Sequence, residues 1–176
     1  MDEEQVRALE VLESAVRMEI DGKEFYLKAG QKSSNRLAKG LFEQLASEED
    51  IHRKKFEEIY EVLKRGQNWP DVQPPSEQGR KLKSLFAEAT RALGSKTEVG
   101  DSELEAIKTA MDMEIQSYDL YRSRSEQSTL PVEKRFYEAL AGEERGHHLA
   151  LVDSYEYLTD PAGWATKTEH WFMDGA

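Results

Sequence analysis

Hydrophobic residues recur along most of this chain at steps of three and four positions, which is typical of one buried face on an α-helix. Such a stripe runs through residues 3–30, and another runs through residues 35–65. A third begins near Asp101 and a fourth near Pro131. The alternation of apolar and polar positions that would indicate strands is absent from the sequence. The pattern therefore predicts an all-α protein built from four long helices.

Breaks in the stripes separate two pairs of helices. Within the first pair, Ser33 or Ser34 is well placed to cap the second helix. Between the pairs, residues 66–100 contain three prolines, which predicts a long crossover with a short amphipathic helix over residues 80–93. Four helices with one long crossover form the ferritin-like bundle. We expect residues 1–160 to form this bundle as one domain.

The two pairs of helices are copies of one unit. A shift of 95 positions, which is the separation of His52 and His147, matches about residues 5–65 to residues 101–160 without a gap. Each copy has a lone glutamate on its first helix and a Glu-x-x-His motif on its second. These positions are Glu19, Glu49 and His52 in the first copy, and Glu114, Glu144 and His147 in the second.

All six residues lie at the centres of apolar stripes, where a carboxylate without a partner is costly. Residues three apart on a helix project from one face, so each Glu-x-x-His directs an oxygen and a nitrogen into the same space. Lysine and arginine are absent from the stripes beside them, apart from Lys23 and Arg53 at the edges. Two divalent metal ions would balance four carboxylates, and mixed oxygen and nitrogen ligands suit iron or manganese. The sequence therefore predicts a buried dinuclear metal site.

Two tyrosines, Tyr26 and Tyr121, follow the lone glutamates by two helical turns. Both are candidates for hydrogen bonds to the ligand carboxylates and for catalytic proton donation. The sequence leaves open the alternative that they are ordinary core aromatics. His148 projects about 100° away from His147 around the helix, so we expect it at the edge of the buried face or at the surface.

Composition and charge narrow the classes of function. The 176 residues contain no cysteine, which excludes disulfides, thiolate metal sites and a cysteine nucleophile. A formal net charge of −11 argues against nucleic acid and anionic membranes as partners. No apolar run approaches ~18 residues, and the first residues are acidic where a signal peptide would be basic. We therefore expect a cytoplasmic protein.

The end of the chain, residues 161–176, is too aromatic for a solvated tail. It contains Trp164, His170 and Trp171. We expect this segment to pack on the bundle or on a partner subunit, with His170 in a structural role rather than as a metal ligand.

At the six ligand positions the chain resembles the diiron-carboxylate proteins of the ferritin-like superfamily, and among them most of all the rubrerythrins. The resemblance covers about residues 5–158. It implies a glutamate from each of two helices and a Glu-x-x-His from each of the other two as the ligands of two iron ions. In this chain those ligands would be Glu19, Glu49, His52, Glu114, Glu144 and His147.

This chain differs in three features from proteins of that superfamily. Rubrerythrins usually carry a rubredoxin-like domain with four cysteines, so the electron donor of this chain is unknown. They also have an extra glutamate one turn after the third-helix ligand, where this chain has Ser117. Bacterioferritin binds haem through a methionine inside the second-helix motif, where Asp50 and Ile51 stand here. We therefore expect no haem.

The leading hypothesis is a non-haem diiron oxidoreductase that oxidises Fe(II) with hydrogen peroxide or O₂, for peroxide detoxification or as a ferroxidase. An iron-storage or iron-handling protein and a dimanganese catalase are the alternatives, and a bundle with a degenerate site and a purely interactive role is a further one. Storage requires a hollow shell of many subunits, whereas we expect a homodimer.

Overall fold

The computed structural model describes residues 3–72, 82, 86–88 and 98–166. Its long elements are four α-helices, which are α1 (Glu3–Lys32), α2 (Arg36–Lys64), α3 (Asp101–Gln127) and α4 (Pro131–Thr159). The described residues include no strand. The prediction of an all-α four-helix bundle is therefore confirmed. None of the helices in this part of the chain offers an apolar stretch that would reach across a lipid bilayer.

The core consists of two apolar clusters with a polar layer between them. One cluster contains Leu37 and Phe42 from the first half of α2, and the other contains Phe56 and Ile59 from its second half. Each of the other three helices likewise contributes residues from one half to the first cluster and from its other half to the second cluster. The predicted ligands fall between the two groups on every helix, so the metal site is closed at both ends by packed apolar side chains.

The residue that caps the second helix is Asn35, not one of the predicted serines. The side-chain oxygen of Asn35 accepts hydrogen bonds from the second and third backbone N–H groups of α2, at 2.9 and 3.1 Å. Ser33 instead donates to the carbonyl of Ala29 in the preceding helix. The prediction of Ser33 or Ser34 was wrong because three consecutive polar residues satisfy the same capping preference, and only the path of the backbone selects one.

The crossover is long because α2 and α3 start at the same end of the bundle. Glu103, in the first turn of α3, accepts hydrogen bonds from the backbone N–H of Asn35 at 2.9 Å and of Gly100 at 3.0 Å. The chain must therefore travel back along the 29 residues of α2, which is about 43 Å. Residues 82 and 86–88 are helical, and the remainder of the predicted short helix lies outside the described residues.

Beyond α4, residues 161–166 form a further short helix. Trp164 packs edge-on against Tyr157 and Phe86, with ring centroids 5.5 and 5.1 Å apart. The start of the aromatic segment thus packs on its own bundle. His170 and Trp171 lie outside the described residues, so the placement of the rest of the tail stays a prediction.

Candidate metal centre

The six predicted ligands meet in one buried space at the middle of the bundle, and each of these residues is at most 5% exposed. Their ligand atoms form two groups, within each of which all atoms lie within 4.8 Å of one another. The first group is Glu19, Glu49 and His52, and the second is Glu49, Glu114, Glu144 and His147. Because Glu49 belongs to both groups, the two candidate ion positions are adjacent.

A second carboxylate, that of Glu144, lies between the two imidazoles. Its Oε1 is 3.2 Å from Nδ1 of His52, and its Oε2 is 3.3 Å from Nδ1 of His147. Each Nδ1 also faces a lone glutamate, with Glu19 at 3.5 Å from His52 and Glu114 at 3.4 Å from His147. Each half of the site therefore has a nitrogen and its own carboxylate, and Glu144 has the position of a bridge.

Five polar atoms at this centre have no hydrogen-bond partner among the residues that the structure describes. They are Oε2 of Glu19, both carboxylate oxygens of Glu144, and Nδ1 of His52 and of His147. Buried polar atoms without partners are uncommon in proteins, and here they are concentrated at a single centre. Carboxylate oxygens and imidazole nitrogens form the ligand set of non-haem iron and manganese sites. The side chains present therefore fit a pair of such ions.

The cations that border the site do not neutralise it. Lys23 and Arg53 pair with Asp50, at 2.6 and 3.2 Å. The Lys23 ammonium, with its neighbours, holds the pKa of the Asp50 carboxyl well below its usual range. The negative charge of the ligand carboxylates is therefore balanced by the imidazoles, by bound protons or by a bound cation.

Burial makes two of the ligand carboxyls hard to ionise. Desolvation, together with the charge of Glu19, raises the pKa of Glu49 well above its usual value. Desolvation also raises the pKa of Glu114 to about 8, although His147 acts in the opposite direction. Without metal, burial therefore favours the protonated, uncharged form of both groups.

The bridging carboxylate behaves differently. Although burial opposes it, His52 and His147 hold the pKa of Glu144 well below its usual range. In return, nearby carboxylates raise the pKa of both imidazoles well above the usual value, against the effect of desolvation. The metal-free centre thus neutralises itself with two imidazolium ions, and metal must displace their protons in order to bind.

Each histidine is oriented by a carboxylate from the other copy of the repeat. Nε2 of His52 lies 2.9 Å from Oε2 of Glu143, and Nε2 of His147 lies 2.6 Å from Oε2 of Glu48. An ionised carboxylate only accepts hydrogen bonds, so Nε2 carries the proton. Nδ1 of the neutral ring then keeps its lone pair for a metal.

The sequence patterns did not single out Glu48 or Glu143. Both precede a ligand glutamate, and they are separated by the same 95 positions as the ligands. That shared spacing was the available signal. It was missed because a second glutamate on a Glu-rich helix usually faces solvent.

The two tyrosines hydrogen-bond to the lone glutamates, but across the bundle. Tyr26 donates to Oε1 of Glu114, and Tyr121 donates to Oε1 of Glu19. Burial, together with these neighbouring carboxylates, raises the pKa of both phenols well above the usual value. Both hydroxyls therefore keep their protons at ligand oxygens. The sequence left open whether these tyrosines hydrogen-bond to the ligands or are ordinary core aromatics, and their catalytic role stays a prediction.

A cavity of about 170 Å³ lies at the seam between α1 and α3, and both Glu49 and Glu114 line it. The Cβ of any larger residue at Gly22 would lie 3.4 Å from Oε2 of Glu49, so glycine leaves room beside that carboxylate. Ser117 occupies the equivalent position on α3 and also lines the cavity. A small molecule therefore has a path to two of the ligands.

The model of the rubrerythrin family matches residues 10–155, which include all six ligand positions. This chain belongs to the rubrerythrin family. Rubrerythrins are ferritin-like diiron-carboxylate proteins, and the buried Glu/His cluster is where this member fits such a centre. A solved structure of a hypothetical protein from Pyrococcus furiosus is 24% identical, covers 86% of this chain and 90% of its own, and has a TM-score of 0.62, which shows a shared fold. No curated protein matches the chain.

Replacement of the bridging carboxylate is expected to remove metal. Glu144→Ala should lower the metal content to about one ion or none per chain, because both candidate positions lose a ligand oxygen. The matched control is His148→Ala, since His148 is half-buried and its Nδ1 lies 3.3 Å from the carbonyl of Met111. Elemental analysis of both variants is the measurement. Two ions per chain in both would contradict the assigned register of α4.

Metal binding is expected to stabilise the protein more at neutral than at acidic pH. In the metal-free state, Glu49 and Glu114 have pKa values above about 4.3, and His52 and His147 have values above about 6.5. The stability that these extra protons contribute is present at low pH and is lost as pH rises through the raised values. Metal acts in the opposite direction because its ligands must be deprotonated.

Thermal melts of metal-free and Fe(II)-loaded protein test this expectation. The rise in Tm on loading should be larger at about pH 7.5 than at about pH 5.5. The lowered pKa of Glu144 contributes equally at both values, because both lie above its unfolded pKa of about 4.3. Glu144→Ala serves as the control and should show little rise at either pH. A rise that is absent in the unsubstituted protein, or larger in acid, would contradict a buried metal site.

Proposed function

We propose that this rubrerythrin-family protein is a non-haem diiron oxidoreductase that oxidises Fe(II) with hydrogen peroxide or O₂, for peroxide removal or as a ferroxidase. The observation that carries the proposal is the buried set of four carboxylates and two imidazoles, with five of its polar atoms unpaired. When bound there, an iron pair supplies electrons to the oxidant. We propose hydrogen peroxide or O₂ as the small-molecule partner because the cavity beside Glu49 and Glu114 is small.

The protein side chains have separate tasks in this proposal. Glu49 and Glu144 hold the two halves of the site together. Glu48 and Glu143 fix the imidazoles with Nδ1 toward the site. Tight apolar packing at both ends limits the access of water and strengthens the electrostatic interactions inside.

The tyrosine hydroxyls hold protons at the inner edge of the site. Tyr26 keeps one at Oε1 of Glu114, next to the cavity, and Tyr121 keeps one at Oε1 of Glu19. Reduction of a peroxide to water requires protons, and a phenol already bonded to a ligand carboxylate is positioned to donate one. In our proposal Tyr26 is the closer donor because it lines the cavity as well.

Metal analysis of protein purified from its native host, followed by peroxide assays, tests the proposal. We expect two iron ions per chain and rapid consumption of peroxide or O₂ by the Fe(II)-loaded protein. Manganese in place of iron would support a catalase. Light scattering should give the mass of a homodimer, and a many-subunit shell would support storage instead. An iron-loaded protein that is inert to both oxidants would overturn the proposal.

Ser117→Glu is expected to change the reaction with peroxide. The new carboxylate would enter the cavity one turn from Glu114, where other rubrerythrins have a glutamate, and should raise the rate with peroxide about tenfold, equal to about 1.4 kcal/mol. Gln116→Glu is the matched control, because it adds the same charge at an exposed position on the cavity rim. Stopped-flow kinetics on both variants, loaded equally with iron, is the measurement. Unaltered kinetics in Ser117→Glu would show that position 117 does not act on the centre.

A further inference from the structure

Two methionines line the cavity through which a small molecule reaches the ligands. They are Met18 on α1 and Met113 on α3, and each directly precedes a ligand glutamate in the sequence. Both residues are half-buried, so they form part of the wall and are not freely solvated. The thioether of methionine is a soft, polarisable group that is oxidised to a sulfoxide. The proposed path of the oxidant is therefore bordered by two oxidisable side chains.

The repeat distinguishes these methionines from the rest of the cavity wall. Three pairs of equivalent positions, each related by the shift of 95, contribute both of their members to the lining. The pairs are Asp21 and Gln116, Gly22 and Ser117, and Met18 and Met113. Among these three pairs, only the methionines are the same residue in both copies. The two sides of the wall have thus diverged elsewhere, while each has kept a thioether.

Core packing does not account for this pair. Neither Met18 nor Met113 belongs to the two apolar clusters of the bundle, whereas Met111 packs against the first cluster. A methionine that fills a gap in a core behaves as Met111 does. Because Met18 and Met113 lie in the polar layer between the clusters, what they contact is the content of the cavity. All three are half-buried, so Met111 is a comparison of similar exposure within the same chain.

We propose that Met18 and Met113 are a modification site for hydrogen peroxide, at which sulfoxide formation restricts the path to the metal centre when peroxide is in excess. The proposal rests on the proposed function, because that function brings peroxide into this cavity. Peroxide that the centre does not consume remains in the cavity, beside the two thioethers. Their oxidation then limits further entry in proportion to the excess.

The modification is an oxygen transfer that needs no further reactant. The thioether sulfur gives an electron pair to one oxygen of hydrogen peroxide, and the O–O bond breaks. The other oxygen takes the proton of the first and leaves as water. One thioether and one peroxide thus become one sulfoxide and one water, with the sulfur oxidised and the peroxide reduced. Gln116 and Ser117 line the same cavity and offer an amide N–H and a hydroxyl as hydrogen-bond donors to the departing oxygen.

Two sulfoxides would change both the size and the polarity of the cavity. Each adds an oxygen atom to the wall of a space of about 170 Å³ and converts an apolar side chain into a polar one. The sulfoxide oxygens also bind water, which then occupies the space beside Glu49 and Glu114. Access of peroxide to these ligands therefore falls. The change is reversible, because methionine sulfoxide reductases restore the thioether, with one enzyme for each epimer.

The first measurement maps the modification and does not depend on turnover. The whole chain is loaded with Zn(II), which has no redox chemistry of its own, and is treated with hydrogen peroxide for increasing times. Peptide mass spectrometry then locates the sulfoxides, with fragment ions that separate Met111 from Met113. Sulfoxide should form at Met18 and Met113 at least about fivefold faster than at Met111, which packs on the core. Equal rates at the three methionines would overturn the proposal.

The second measurement determines whether the sulfoxides slow entry. Iron-loaded protein is treated with excess peroxide, freed of it, reduced without air and mixed with fresh peroxide in a stopped-flow instrument. Its rate should fall at least about threefold below that of untreated protein and should recover after treatment with the two reductases. A double variant, Met18→Leu with Met113→Leu, should keep its own untreated rate, because leucine forms no sulfoxide and is close to methionine in volume. Met111→Leu is the matched control and should lose rate as the unsubstituted protein does.

The outcomes separate the modification site from the function on which its effect rests. Iron-loaded protein that consumes neither oxidant would overturn the proposed function and the control of entry together, while selective sulfoxides in the zinc-loaded protein would still establish the site. Selective sulfoxides without a loss of rate would overturn the control of entry alone. An equal loss of rate in the double variant would do the same, because the damage would then lie elsewhere. A reversible loss that the double variant escapes would support the whole proposal.

Discussion

Everything in this bundle is arranged around the cost of burying four carboxylates and two imidazoles in one place. An isolated buried carboxylate costs several kcal/mol, and like charges within a few ångströms increase that cost. Without metal, the centre reduces this cost by retaining protons, as the raised pKa values of Glu49, Glu114 and both histidines indicate. Bound metal ions reduce the same cost by supplying positive charge. Metal affinity and acid–base behaviour are therefore two aspects of the same constraint.

The same centre joins the two halves of the molecule. Helices pack mainly within each hairpin, α1 on α2 and α3 on α4. Four hydrogen bonds at the centre instead connect one copy to the other, namely Tyr26 to Glu114, Tyr121 to Glu19, His52 to Glu143 and His147 to Glu48. Each bond has its repeat counterpart, so the centre has approximate two-fold symmetry. Its ligands are thus held by partners from the opposite hairpin, which makes the geometry of the site depend on correct pairing of the hairpins.

The symmetry is broken in the surroundings of the site and not among its ligands. Gly22 and Ser117 are equivalent positions in the cavity wall, and Phe42 and Tyr137 are equivalent positions in the core. The first difference gives the two sides of the cavity unequal polarity. The second places a phenol hydroxyl where the other copy has a plain phenyl ring. A duplicated bundle can in this way keep a symmetric ligand set while its surroundings diverge.

The four long helices and the meeting of the six Glu and His side chains were predictable from the sequence, because each depends on spacing along a single chain. Apolar positions at helical intervals define the buried faces, and the repeat of 95 residues marks the six polar residues that interrupt them. The cap at Asn35 was not predictable, since neighbouring serines have the same preference and the choice rests on the contact between Glu103 and the start of α2.

Only the tertiary structure decided which glutamate each tyrosine hydrogen-bonds to and which carboxylate orients each histidine. Spacing along α1 brings Tyr26 near Glu19, yet its hydroxyl reaches Glu114 on another helix. Helical periodicity determines the face on which a side chain lies, but not the partner that the facing helix presents at that height. That partner depends on how the two hairpins are packed, and so on contacts between residues about one hundred positions apart.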